Sequence, residues 1–222
     1  MPRLKPVPRA EATGSVLRAY EKLFGDRDPV AQPGTATGTP GNWWTVFARV
    51  PYVFDHAVAH FGMFGMFSDT NVSNLDPKLR EIGILRAAYT AGSQFVYSQH
   101  CKAGRRNGLD EQKIADIPHW TVSSAYTELE RAILAYADCL ILQHGRVPDP
   151  LFETLRRLAS EEDILELTYH IMGYNTHAVM CRALKLEYDD VPERIVEVPV
   201  PKGGGLAADW AGSAWSGADK KD

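Results

Sequence analysis

The chain has 222 residues, 45% of them apolar and 23% charged, with a formal charge of −4. That length and balance supply the core of one large or two small globular domains. The negative charge excludes a binder held to nucleic acid by phosphate contacts, and the lack of an apolar run of about 18 residues excludes a membrane-spanning helix.

The opening MPRLKPVPRAEATG lacks the apolar stretch of a secretory signal. Ser15 to Phe24 places Val16, Leu17, Tyr20, Leu23 and Phe24 at helical spacing. Residues 26–41 are rich in Pro, Gly and Thr and read as a loop. Trp43 to Phe67 is apolar and aromatic, and Pro51 suits the first turn of a second helix within it. Its aromatic set, Trp43, Trp44, Phe47, Phe54, Phe61, Phe64 and Phe67, suits a core, a subunit contact or the lining of a pocket for a ring. His56 and His60 stand four apart, a spacing that can clamp a metal, but no third ligand is visible and the aromatic neighbours favour packing.

Asp76-Pro77 starts the next helix, with Leu79, Ile82, Leu85 and Tyr89 as its buried stripe. Gly92-Ser93 breaks the chain, a helix follows from Gln94 to about Asn107, and Gly108 stops it. A short helix over Asp110 to Asp116 is closed off by Pro118. Tyr126 to His144 forms a long helix with Leu129, Ile133, Tyr136 and Leu140 on one face, a capping box at Thr127 to Glu130, and Gly145 as its stop. Asp149-Pro150 opens another helix by the same cap-then-proline chemistry, and Ser160 opens the last, which runs to about Leu186. The one alternating stretch, Arg194 to Val200, reads as an extended arm, and the remainder as a flexible tail whose Trp210 and Trp215 suit docking on the body or on a neighbouring subunit.

Reactive side chains are densest between Gly92 and Cys101. Helical spacing puts Gln94, Tyr97 and His100 near one face, so an amide, a phenol and an imidazole would converge there. Histidine suits proton transfer near neutrality. A buried histidine satisfied by a carbonyl or carboxylate is the competing reading. The three cysteines, Cys101, Cys139 and Cys181, are odd in number and far apart, which fits neither a disulfide framework nor a zinc pattern and points to reduced thiols in a cytoplasmic protein. Nucleotide-binding and serine-hydrolase motifs are absent.

Leu79-Arg-Glu-Ile-Gly-Ile-Leu-Arg-Ala-Ala88, His100, Asn107-Gly-Leu-Asp110 and the stretch Ile164 to Asp189 with its Tyr174-Asn175 pair resemble the carboxymuconolactone decarboxylase family, whose superfamily includes alkyl hydroperoxidase D-like proteins. The resemblance spans residues 43–190. One branch without redox thiols carries a motif like Tyr-x-Trp-x-x-His, matched here by Phe95, Tyr97 and His100. The peroxidase branch carries Cys-x-x-Cys-x-x-x-His, and Ser93 and Val96 stand at those cysteine positions, so both redox thiols are missing. That branch also has a glutamate 19 residues before its histidine, where Glu81 stands, and the resemblance implies a proton relay between Glu81 and His100. The alternative for Glu81 is a structural carboxylate paired with Arg80 or Arg86.

The resemblance implies an all-α fold: an alkyl hydroperoxidase D-like helical bundle over residues 43–190, with an N-terminal helical extension (1–42) and a C-terminal extended tail (191–222). It implies a cofactor-independent lyase, decarboxylase-like, or an isomerase acting on a small cyclic or aromatic acid, as in aromatic-compound catabolism. His100, Glu81 and Tyr97 are the expected catalytic residues. Gln94, Phe95 and His170 are expected to bind the substrate, with no metal and no cofactor. It also implies a homo-oligomer, with neither nucleic acid nor membrane as partner. A redox protein using Cys101 alone, and a binding protein that kept the fold without chemistry, are the alternatives.

Overall fold

The computed structural model describes residues 1–35, 41–63 and 73–186. These divide into two compact units, one within Met1–Ser73 together with residues 183–186, the other over Asn74–Arg182.

The first unit is held by aromatic packing. Helix α1 (Gly14–Phe24) buries Val16, Ala19, Tyr20 and Phe24 on one face, and the Tyr20 hydroxyl donates to the Val7 carbonyl at 2.9 Å. Helices α2 (Asn42–Phe47) and α3 (Pro51–Gly62) close around Trp43, which stacks on Phe47 at 4.3 Å and meets Phe54 and Phe61. These rings are core: Trp43 is 3% exposed and Phe54 1%. Each such ring contributes about 1.5–3 kcal/mol by leaving water. His60 is buried beside Phe61 while His56 is exposed, so the two do not face a common ligand. No group of three metal-ligating residues occurs among the described residues. Phe64 and Phe67 lie outside them.

The second unit holds the helices that carry the candidate site. Asp76 caps α4 (Pro77–Thr90) by accepting from the Lys78 N–H, and Pro77 occupies the first turn. The expected single stripe on α4 is too narrow. Ile82 and Leu85 are fully buried, but so are Ile84, Ala87 and Ala88, and Arg80 and Glu81 are buried with them, whereas Leu79 and Tyr89 are only half-buried. A helix enclosed on several sides loses the one-faced pattern from which its burial would be read.

Gly83 explains one close approach in this unit. A Cβ there would stand 2.9 Å from Ile171 and 3.0 Å from Leu167, so glycine lets α4 lie directly on α9 (Glu161–Leu184). After α4 the chain turns at Gly92, whose φ of +66° disfavours a side chain, and the Arg182 guanidinium fills the space beside it and donates to the Ala91 carbonyl. Ser93 then caps α5 (Gln94–Arg106).

Helix α6 (Glu111–Asp116) ends before Pro118, as expected. The chain continues as a 3-10 turn over Ile117–Val122 with Pro118 in its first turn and a kink at His119. Helix α7 (Glu128–Leu142) begins with the expected Thr127–Glu130 capping box, and it ends before His144 because His144 and Gly145 both turn left-handed. Helix α8 (Asp149–Leu158) differs from expectation: Pro148 is its N-cap, and Asp149 lies in the first turn without a capping bond. Helix α9 starts where Ser160 accepts from the Asp163 N–H at 3.1 Å. The described residues contain no strand and no helix long and apolar enough to cross a membrane. The alternating stretch 194–200 and the tryptophan-bearing tail lie outside them.

Candidate functional site

Helices α4 and α5 bring together two residues 19 positions apart. His100 Nδ1 lies 2.7 Å from Glu81 Oε2. Glu81 is 3% exposed and sits between α4 and α5, so its carboxylate has lost water and must be held by protein groups. Burial opposes its charge. The His100 imidazole and the Arg80 guanidinium outweigh that cost and hold the carboxyl below the usual carboxylate range. Its second oxygen, Oε1, accepts from Asn107 Nδ2 at 3.3 Å and from Arg80 Nη2 at 3.4 Å.

An ionised Glu81 accepts hydrogen bonds only, so His100 Nδ1 carries the proton between them. The other ring nitrogen, Nε2, is then basic. The imidazole side chain is 12% exposed, close enough to the surface for a small molecule to approach. The edge of Tyr174 on α9 packs against it with ring centroids 4.3 Å apart. Burial pushes the Tyr174 phenol far up, so it stays neutral and can only donate or accept. Chemically, the arrangement can withdraw a proton and return it, with the carboxylate stabilising the imidazolium in between.

The two readings of Glu81 both find a counterpart in the geometry, since it contacts Arg80 as well as His100. Arg86 does not reach it. Arg86 instead clasps Asp138 through Nε at 2.6 Å and Nη2 at 3.1 Å and donates to the Ile117 carbonyl at 2.9 Å.

The expected line of Gln94, Tyr97 and His100 does not form. Tyr97 turns away from His100, its hydroxyl donating to the Ile114 carbonyl at 3.4 Å and its ring meeting Tyr89. Burial, and then the neighbouring Cys101, push its phenol up. Gln94 bonds within its own helix, Nε2 donating to Ser98 Oγ at 3.2 Å. A step of three residues along a helix leaves side chains about 60° apart, enough to send Tyr97 and His100 to different neighbours. Phe95 is half-buried. His170 is fully buried on α9, with Nε2 at 3.3 Å from Glu166 Oε1. Burial lowers its pKa, Glu166 partly offsets this, and the charges of Arg80 and Glu81 reach it.

Two residues of the site, Asn107 and Tyr174, were not among those expected to form it, and Arg80 was expected only as a structural partner of Glu81. Asn107 follows His100 by seven positions, two helical turns, which puts both on one face and was a usable signal. Tyr174 had no such spacing signal, because its approach depends on how α9 crosses α5.

The thiols are inaccessible. Cys101 is 1% exposed, and burial pushes it up to about 12. Cys139 and Cys181 are also buried.

Among solved structures, an AhpD-type antioxidant-defence candidate of unknown function from Agrobacterium tumefaciens is 29% identical over 68% of this chain and 96% of its own, with a TM-score of 0.57. A peroxidase-related alkylhydroperoxidase AhpD-core protein from Ralstonia eutropha JMP134 shares the fold at 15% identity, covering 89% of this chain and 97% of its own, with a TM-score of 0.66. The debrominase Bmp8 shares it at 16% identity, over 91% of this chain and 96% of its own, with a TM-score of 0.62. No curated protein matches the sequence significantly. Residues 54–138, which include Glu81, His100 and Asn107, match the carboxymuconolactone decarboxylase family, and the helical fold is that of the alkyl hydroperoxidase D-like proteins.

Proposed function

We propose that this protein is a cofactor-independent enzyme, a decarboxylase-like lyase or an isomerase, that moves a proton on a small cyclic or aromatic acid. One observation carries the reading: Glu81 Oε2 stands 2.7 Å from His100 Nδ1, with the carboxyl held below its usual range. This pairing leaves His100 Nε2 as the group that exchanges a proton with carbon. In the lyase form His100 Nε2 first takes the proton of the substrate's carboxylic acid, the bond from ring carbon to carboxylate breaks, CO2 leaves, and the electron pair moves into a conjugated carbonyl of the substrate. The imidazolium then returns a proton to carbon. In the isomerase form the same nitrogen removes a proton at one carbon and delivers it to another. A protein of this fold, a cysteine-to-alanine variant of the debrominase Bmp8, has been crystallised with 2,3,4-tribromopyrrole, which supports a small ring as the kind of molecule such a scaffold accommodates.

The thiol-based alternative is disfavoured by the burial of Cys101 and by Ser93 and Val96 at the expected cysteine positions. A non-catalytic binding role through Trp43 is disfavoured by the place of that ring inside the first unit. We take the protein to act as a homo-oligomer in the cytoplasm. Exposed Leu165, Tyr169, Met172 and Val179, spaced along one face of α9, support the oligomer, and native mass spectrometry tests it.

The test of function is turnover of a panel of lactone acids and phenolic acids by wild type and His100→Ala. A loss of about 10²- to 10⁴-fold on whichever compound is turned over is expected for a proton-transfer group. Full activity in His100→Ala rules the mechanism out.

A further inference from the structure

We infer that Asn107 is a positioning residue for the Glu81–His100 pair, selecting which nitrogen of His100 carries the proton. The inference rests on the proton-transfer reading above and adds a residue to it.

The argument begins with the symmetry of a carboxylate. Its two oxygens are equivalent, and rotation about the last side-chain bond would present either one, or both poorly, to the imidazole. Glu81 is relieved of that freedom because its oxygens have different partners. Oε1 receives Asn107 Nδ2 at 3.3 Å and Arg80 Nη2 at 3.4 Å. Oε2 is thereby turned to His100 Nδ1 at 2.7 Å. Arg80 lies on the same helix as Glu81, one residue earlier, and moves with it. Asn107 lies at the end of α5, the helix that carries His100, and its own N–H closes that helix on the Ala103 carbonyl at 2.9 Å. α5 therefore grips the carboxylate at two points seven residues apart, and the distance between Glu81 and His100 is set by the rigidity of one helix.

The chemistry of the amide matters as well. Asn107 donates a hydrogen bond without bringing a charge. A lysine or arginine there would add a second cation beside Arg80 on the same carboxylate and further weaken the stabilisation His100 needs when it holds a second proton. A hydrogen-bond acceptor there would face Glu81 with like polarity.

The experiment uses the full-length protein with 15N-labelled histidine and reads the tautomer of His100 from the shifts of its two ring nitrogens at mildly alkaline pH. Wild type is expected to show a single form with the proton on Nδ1. Glu81→Gln breaks the pair itself, and its amide can donate to Nδ1, so the proton is expected to move to Nε2. Asn107→Leu keeps the size of the side chain and removes the donor, and is expected to give a mixture of the two forms. Asn107→Ser, too short to reach Glu81 but still polar at the helix end, should do the same, and it serves if the leucine variant misfolds. If Glu81→Gln moves the proton and both Asn107 variants leave it on Nδ1, the role of Asn107 is overturned and the pair stands. If Glu81→Gln leaves the form unchanged, the pair itself is overturned, and the role of Asn107 with it.

Discussion

Glu81 and His100, 19 residues apart on consecutive helices, meet through Oε2 and Nδ1 at 2.7 Å. A neutral amide in place of the carboxylate keeps the shape and removes the charge that stabilises the imidazolium. Glu81→Gln should lower turnover of the eventual substrate by about 10²-fold, at the low end for loss of acid–base assistance, with KM little changed. Steady-state kinetics separates the two parameters.

Arg80 and Glu81 are both buried, at 6% and 3% exposure, and share a contact at 3.4 Å. Arg80→Met leaves the carboxylate with less compensation. The cost expected is about 3 kcal/mol, the scale for removing one partner of a buried ion pair. Denaturant unfolding of the two proteins reads it.

Stability should fall with acid in two windows. The pKa of His170 is lowered by burial below its ordinary 6.5. As pH drops below about 6.5 the unfolded chain takes a proton that the folded chain refuses, so stability is lost from there down through the folded value. The pKa of Glu81 is lowered from 4.5. Its contribution is fully present above about 4.5 and is lost as pH falls through the lower folded value. Unfolding free energy measured from pH 8 to 3 should flatten just below 6.5 in His170→Leu, and only below 4.5 in Glu81→Gln.

Gly83→Ala should destabilise the protein. A helical alanine normally gains about 0.5–1 kcal/mol over glycine, but here its Cβ would sit 2.9 Å from Ile171 and 3.0 Å from Leu167. Overpacking costs about 1–3 kcal/mol, so the melting temperature should drop rather than rise.

Cys101, Cys139 and Cys181 are all buried, and Cys101 has its thiol pushed up to about 12. A thiol reagent such as dithiobis(nitrobenzoate) should label none of them quickly in the native protein and all three in guanidinium. Fast native labelling of Cys101 would reopen the thiol-based reading.

Much of the helical frame was legible because its signals are local. Asp76-Pro77 and Thr127 to Glu130 cap helices through bonds made within one turn, and these bonds depend on no distant residue. Asp149 misled because a residue that can cap can also sit in the first turn, and the choice is made by the preceding backbone at Pro148. The α4 stripe misled because amphipathicity marks a helix with one wet side, and α4 has little of it.

The sequence by itself determined the helical class and most helix ends, both properties of residue type and short spacing. Glu81 and His100 could be matched only through a resemblance. The tertiary structure alone decided that Tyr97 faces Ile114 while His100 faces Glu81, and that Asn107 and Arg80 share the second carboxylate oxygen. The reason is geometric. Spacing along one helix gives a side chain's direction to within tens of degrees, and a hydrogen bond needs its partner within a few tenths of an ångström, a precision that comes only from how α4, α5 and α9 pack.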